Sequence, residues 1–121
     1  MITEQYVSFE TAKLAKEKGF NEPCRHYYLN GAKEVNNETI MIYDLPYPYN
    51  STDKNYFAAP TQSLLARWLR EKHKLFIEVT VDSIRLIREG DSTKYYTNNK
   101  EEFRSYEEAM EAGLQDALKL L

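Results

Sequence analysis

Apolar residues recur along this chain at two spacings, and the places where the spacing changes mark out its elements. Ser8 followed by Glu10, with Thr11, Leu14, Ala15 and Lys18 at helical intervals, predicts a capped helix of about ten residues. Gly19 ends it, because glycine takes the left-handed conformation freely, and Phe20 then folds back toward Ala15. Asn21-Glu22-Pro23 breaks the chain before Cys24. His26 to Leu29 has the aromatic content of a strand, Asn30-Gly31 reads as a turn, and Thr39 to Tyr43 alternates as a return strand of a loose hairpin.

From Asp44 to Ala58 the pattern lapses: Pro46 and Pro48 alternate with Tyr47 and Tyr49, and short polar residues follow. This predicts a long loop, and long loops in compact domains often carry function. Its tyrosines, Tyr47, Tyr49 and Tyr56, offer flat, partly polar contact surfaces to a partner or ligand. As packing mass the same rings would cover the edge of the core.

The stretch Ala59 to His73, which holds the single tryptophan, predicts a central helix with Pro60 in its first turn. Leu64, Leu65, Trp68 and Leu69 share its apolar face, while Arg67, Arg70 and Lys74, with Lys72 among them, form a basic stripe. Leu75 to Val81, Ile84 to Arg88 and Thr93 to Thr97, separated by turns at Asp82-Ser83 and Glu89 to Ser92, predict an antiparallel meander. Ser105 and Glu108 have the spacing of a capping box opening a last helix, with Tyr106, Ala109, Met110, Leu114, Ala117 and Leu121 on one face. The expected fold is α+β: an antiparallel sheet of four to five strands packed by three helices, in the order α-β-β-α-β-β-β-α.

Composition narrows this further. A chain of 121 residues is expected to form one domain, 1–121. Apolar residues at 42% and charged residues at 29%, without any long apolar run, describe a globular protein that does not span a membrane. The start, Met1 to Tyr6, lacks the basic-then-apolar pattern of a signal peptide, so a cytoplasmic location is the expectation. The single Cys24 fits a reducing compartment, and the Asn-x-Thr triplets at Asn37 and Asn50 then carry no glycosylation meaning. A net charge of −3 argues against broad nucleic-acid binding, which needs many phosphate-neutralising cations.

Candidate chemistry is sparse. Cys24 and His26 stand two apart on a predicted strand, on one face, and His73 is the remaining ligand type that would complete a Cys-His pair or a metal site. The spacing matches no standard zinc pattern, so no metal, cofactor or catalytic residue is expected. The acid pairs Glu101-Glu102 and Glu107-Glu108 read as solvated charges at a loop and a helix start. Glycine-rich phosphate loops and nucleophile elbows are absent from the sequence. The basic stripe has the donors to hold an anion, though cations in the last turns of a helix also complement its negative end.

Ser8-Phe-Glu-Thr-Ala12 running to Lys18-Gly-Phe-Asn-Glu-Pro-Cys24, then Ala59-Pro60, Gln62 and Arg67-Trp-Leu-Arg-Glu-Lys-His73, then Ser105-Tyr-Glu-Glu-Ala109, resembles a group of small proteins of phages and prophages of Bacteroides-type bacteria. The resemblance covers roughly half the chain and implies a mobile-element origin; it brings no activity or catalytic residue with it. The resulting expectation is a non-enzymatic accessory protein that, as a monomer or a homo-oligomer, binds a host or phage protein through Leu45 to Phe57. The alternative is a binder of a small anionic ligand or nucleotide through a pocket lined by tyrosine and arginine, with Tyr47, Tyr49, Tyr56, Arg67, Arg70 and Lys74 as the candidate residues.

Overall fold

The computed structural model describes residues 2–29, 40–52, 54–80, 83–88, 90, 94–99 and 103–121, with backbone alone at 43, 44 and 94–99. The expected turn at Asn30-Gly31, all but Gly90 of the expected turn Glu89 to Ser92, the strand ends Thr39, Val81 and Thr93, Asp82, and the Glu101-Glu102 pair lie outside the described residues. The elements in order are α1 (Phe9–Glu17), β1 (Cys24–Leu29), β2 (Ile40–Tyr47), a 3-10 turn at Tyr49–Ser51, β3 (Tyr56–Ala58), α2 (Gln62–His73), β4 (Leu75–Val79), β5 (Ser83–Arg88), β6 (Lys94–Asn99) and α3 (Tyr106–Lys119). The class is α+β and the order is the expected one, with β3 added inside the expected loop.

The strands divide into two antiparallel sheets, β2-β1-β3 and β4-β5-β6. Each sheet is assembled from strands consecutive in the chain, which keeps the closed loops short. The chain correspondingly forms two compact units, Tyr6–Thr61 and Met1–Gln5 with Gln62–Leu121.

In the Tyr6–Thr61 unit, α1 begins and ends as its sequence dictates. Ser8 Oγ accepts from the Thr11 N–H at 3.3 Å. At the other end the Phe20 N–H reaches the Ala15 carbonyl at 3.0 Å and the Gly19 N–H the Lys16 carbonyl at 3.2 Å, around Gly19 at φ +95°. This is a Schellman stop with a buried hydrophobic residue beyond it. The buried face is Phe9, Thr11, Ala12 and Ala15, with Leu14 half-buried. Phe9 meets the edges of Tyr28 and Phe57 at 5.7 and 5.2 Å, and the Tyr28 hydroxyl donates to the Val7 carbonyl at 2.7 Å.

Most of the stretch expected to be an irregular loop is ordered. β2 runs on to Tyr47, the 3-10 turn follows, and β3 pairs with β1 through Tyr27↔Ala58, Tyr28↔Phe57 and Leu29↔Tyr56. Pro46 is tolerated within β2 because that strand lies at the edge of its sheet. Asn50 fastens the turn: its Nδ2 donates to the Phe20 carbonyl at 2.7 Å and its Oδ1 accepts from the Ala58 N–H at 2.8 Å. Pro60 is buried ahead of α2, which starts at Gln62, and its carbonyl accepts from the Val7 N–H at 3.0 Å instead of opening the helix.

In the other unit, α2 buries Gln62, Leu65, Ala66, Trp68 and Leu69, leaving Leu64 half-buried. α3 is capped by Ser105, whose Oγ accepts from the Glu108 N–H at 3.1 Å. Its buried face is Ala109, Met110, Gly113, Leu114, Ala117 and Leu118; Tyr106 is exposed and Leu121 half-buried. Gly113 is there for closeness: a Cβ would stand 3.0 Å from Ile77 Cγ2 and 3.2 Å from Ile84 Cγ2, so α3 lies directly on β4 and β5. Glu78 and Arg85 are opposite one another on β4 and β5 and form an ion pair.

Asn50→Ala is expected to lower stability by about 1–3 kcal/mol, since it strips partners from one backbone donor and one acceptor. Urea denaturation of the variant measures it; an unchanged midpoint would show that the turn holds without the amide.

Candidate functional site

Of the candidate tyrosines, Tyr49 is only 5% exposed and Tyr56 half-buried, while Tyr47 is 46% exposed. Tyr49 is therefore a post rather than a contact residue. Tyr27 stacks on it at 4.4 Å between centroids, Tyr47 leans on it at 5.4 Å, and Tyr56 meets its edge at 6.1 Å. Tyr27, on β1, belongs to this cluster and was not marked out by the sequence, because its neighbour Tyr28 points to the opposite face and is buried. The rings pack on one another at these separations and enclose no cage. The 3-10 turn and β3 hold them, and Lys16 closes one side by donating to the Tyr56 carbonyl at 2.7 Å while lying 4.6 Å from the centre of the Phe57 ring.

Beside Tyr47 the edge strand β2 turns apolar side chains outward: Leu45 is 65% and Ile42 70% exposed. The register explains Leu45. His26 pairs with Ile42 and Cys24 with Tyr47, so four residues of β2, Tyr43 to Pro46, face the single Arg25 across the ladder. A bulge of that size leaves the ladder locally and carries Leu45 with it.

The basic stripe belongs to the other unit, and its members have different jobs. Arg67 Nε is 3.0 Å from Glu71 Oε1, a solvent-exposed i,i+4 pair. Lys74 sits at φ +56° and its N–H donates to the Arg70 carbonyl at 3.2 Å, which makes it the left-handed residue closing α2 before β4. Arg70 alone of the three lines a cleft of about 470 Å³, formed by the N-terminal segment, the first turns of α2 and α3, and β4. Gln62, Met110 and Ile77 line it with Arg70, and so do the acidic Glu4 and Glu107. Arg70 thus shares its cleft with Tyr106, and the candidate Tyr47, Tyr49 and Tyr56 lie in the Tyr6–Thr61 unit.

Gln62 is 6% exposed and fully engaged on its donor side. Its Nε2 donates to the Glu107 carbonyl at 2.9 Å and to Glu111 Oε1 at 3.0 Å. Its backbone N–H donates to the Gln5 carbonyl at 2.8 Å, tying down the segment whose Glu4 accepts from Ser63 Oγ at 3.2 Å. A glutamine opening a helix gives no sequence signal for this role beyond being the polar residue beside an apolar stripe.

Cys24 and His26 lie on β1, and His73 ends α2 in the other unit, where it meets the Trp68 ring edge-on at 4.8 Å. Cys24 is buried, with its thiol 3.4 Å from the Glu22 carbonyl. Burial, helped by the charge of Glu22, pushes its pKa up to about 12, which keeps it a protonated and poorly nucleophilic thiol. His26 lies against the Tyr6 ring at 3.9 Å; burial, and secondarily Arg25, lowers its pKa and favours the neutral imidazole. Among the described residues no group of three His, Cys, Asp or Glu is placed to hold a metal ion, and no helix is long and apolar enough to cross a membrane.

Comparison with protein-family models, with curated proteins and with solved structures finds no match to this chain.

Two outcomes check the local chemistry. Lys74→Gly is expected to raise stability by about 1 kcal/mol, because a non-glycine residue in the left-handed region carries a cost of roughly that size; a lowered melting temperature would mean that the lysine side chain contributes more than the backbone loses. Cys24 is expected to react with a disulfide reagent at neutral pH only as fast as the protein unfolds. Its raised pKa also means that stability present below about pH 9 declines as pH rises toward about 12, because the unfolded thiol ionises first. Cys24→Ala should flatten that decline; an equal slope in the variant would remove the thiol as its cause.

Proposed function

We propose that this chain is a non-enzymatic protein-binding module whose docking surface is the tyrosine cluster and the bulged edge strand of the Tyr6–Thr61 unit. The observation that carries the reading is the run of exposed apolar side chains, Ile42, Leu45 and Tyr47, held on one ordered strand beside the half-buried Tyr27 and Tyr56. Rigid aromatic rings give large contact area at low entropic cost, and such residues supply most of the energy at protein interfaces. The bulge and Pro46 interrupt the outer edge of β2 as a template for strand addition, so the partner docks through side chains rather than by extending the sheet. The resemblance to phage and prophage proteins supports taking that partner from a phage or its bacterial host, in the manner of an accessory protein.

The double variant Leu45→Ser/Tyr47→Ser tests this. Both side chains are exposed, so the variant should keep the wild-type melting temperature, which a change at the buried Tyr49 would not. Immobilised wild-type protein and a control altered at the exposed Lys13 should retain the same partner from host lysate, and the double variant should lose it by at least about tenfold, the effect of one hot-spot side chain. Undiminished capture by the double variant would overturn the reading, and a dimer of the chain itself dissolved by these substitutions would reassign the surface to a second copy.

A further inference from the structure

The cleft of the α2–α3 unit has the build of a small-molecule site, and its chemistry differs from that of the basic stripe that leads into it. At about 470 Å³ it falls within the roughly 300–1,000 Å³ typical of such sites. Its floor is apolar, with Ala66 of α2, Ile77 of β4 and Met110 of α3. Gln62 supplies a fixed acceptor. Both hydrogens of Nε2 go to acceptor-only groups, the Glu107 carbonyl and the Glu111 carboxylate, which sets the orientation of the amide. Its Oε1 accepts no hydrogen bond from the described residues and stays open to the cleft, although most of the side chain is buried. An acceptor fixed in this way offers a ligand N–H a place that water otherwise takes.

The charges define the rest of the ligand. Glu4 and Glu107 stand against one cation, Arg70, so a purely anionic ligand meets more repulsion than attraction here, and a purely cationic one leaves the guanidinium unused. We propose that the cleft binds a small zwitterion with an apolar body, of the α-amino-acid class: its ammonium taken by Gln62 Oε1 and the acidic rim, its carboxylate by the Arg70 fork, and its side chain by Ala66, Ile77 and Met110. This site goes beyond the docking surface proposed above, lies in the other unit, and stands or falls separately from it.

The test is titration of the isotope-labelled protein by NMR with L-phenylalanine, with 2-phenylethylamine, which lacks the carboxylate, and with 3-phenylpropionate, which lacks the amine. L-Phenylalanine is expected to give saturable shifts at the amides of Arg70, Ile77 and Met110, and each single-charge analogue to bind at least about tenfold more weakly, as loss of one charge-assisted contact implies. Arg70→Gln, an exposed position whose replacement spares the core, should weaken phenylalanine about tenfold and leave phenylethylamine unchanged. Leu45→Ser/Tyr47→Ser should leave phenylalanine binding as it is. Equal or tighter binding of 3-phenylpropionate, or no saturable shift with L-phenylalanine, L-leucine or L-methionine up to about 10 mM, a range that would still reveal a weak site, would overturn the proposal.

Discussion

Asn50 meets two backbone obligations with one side chain, giving a hydrogen to the carbonyl that follows α1 and taking one from the N–H that ends β3. Without it, a turn that follows two prolines would leave polar backbone groups unmet in a half-buried place, a situation folded chains rarely allow. The tyrosine cluster depends on this fastening. Tyr49 immediately precedes Asn50, so the residue that fixes the turn also fixes the post on which Tyr27, Tyr47 and Tyr56 lean. The other unit uses the same device once more: the Gln62 amide joins the start of α2 to the first turns of α3, and its backbone N–H holds the N-terminal segment. In both units a side-chain amide does what no helix or sheet ladder reaches, and in both it stands next to the surface proposed to bind something.

The edge of β2 shows how one local irregularity serves two ends. An unguarded edge with exposed Ile42 and Leu45 would invite pairing with other chains. The bulge opposite Arg25 and the missing N–H at Pro46 break the row of donors and acceptors such pairing needs. The same bulge lifts Leu45 clear of the ladder, so apolar area is presented without a continuous hydrogen-bonding template. The surface proposed for docking is thereby compatible with an edge that discourages indiscriminate strand addition.

What the sequence made legible were the features set by a few neighbouring residues. Ser8, Gly19 and Phe20 bound α1 as their chemistry requires, Ser105 caps α3, and the faces of α2 and α3 follow helical spacing with shifts at Leu64, Tyr106 and Leu121. What it hid were consequences of long-range pairing. β3 is three residues long, too short to show a period, and exists because Tyr27 to Leu29 offers it a ladder. The placing of Tyr49 likewise depends on the bonds of its neighbour Asn50 to Phe20 and Ala58, and the Pro60 carbonyl is taken by Val7, partners that lie off in sequence. The candidate residues were legible in the same measure: Leu45 bounds the stretch the sequence marks out, Tyr47 is exposed and Arg70 lines the cleft, whereas Tyr27 and Gln62 needed the fold to be seen.

The separation of Arg67, Arg70 and Lys74 into three roles bears on how basic stripes are read. Spacing along a helix places cations on one side, but each is then claimed by its nearest strong interaction. Arg67 has Glu71 one turn on, in the less favourable order for such a pair, and the backbone of Lys74 makes the left-handed turn into β4. The last turn of α2 also gathers Arg70, Lys72 and His73, where positive charge offsets the carbonyl end of the helix. Of these cations only Arg70 lines the cleft, which it shares with Glu4 and Glu107, and that balance of charge, rather than the count of cations in the sequence, bears on what the cleft can hold.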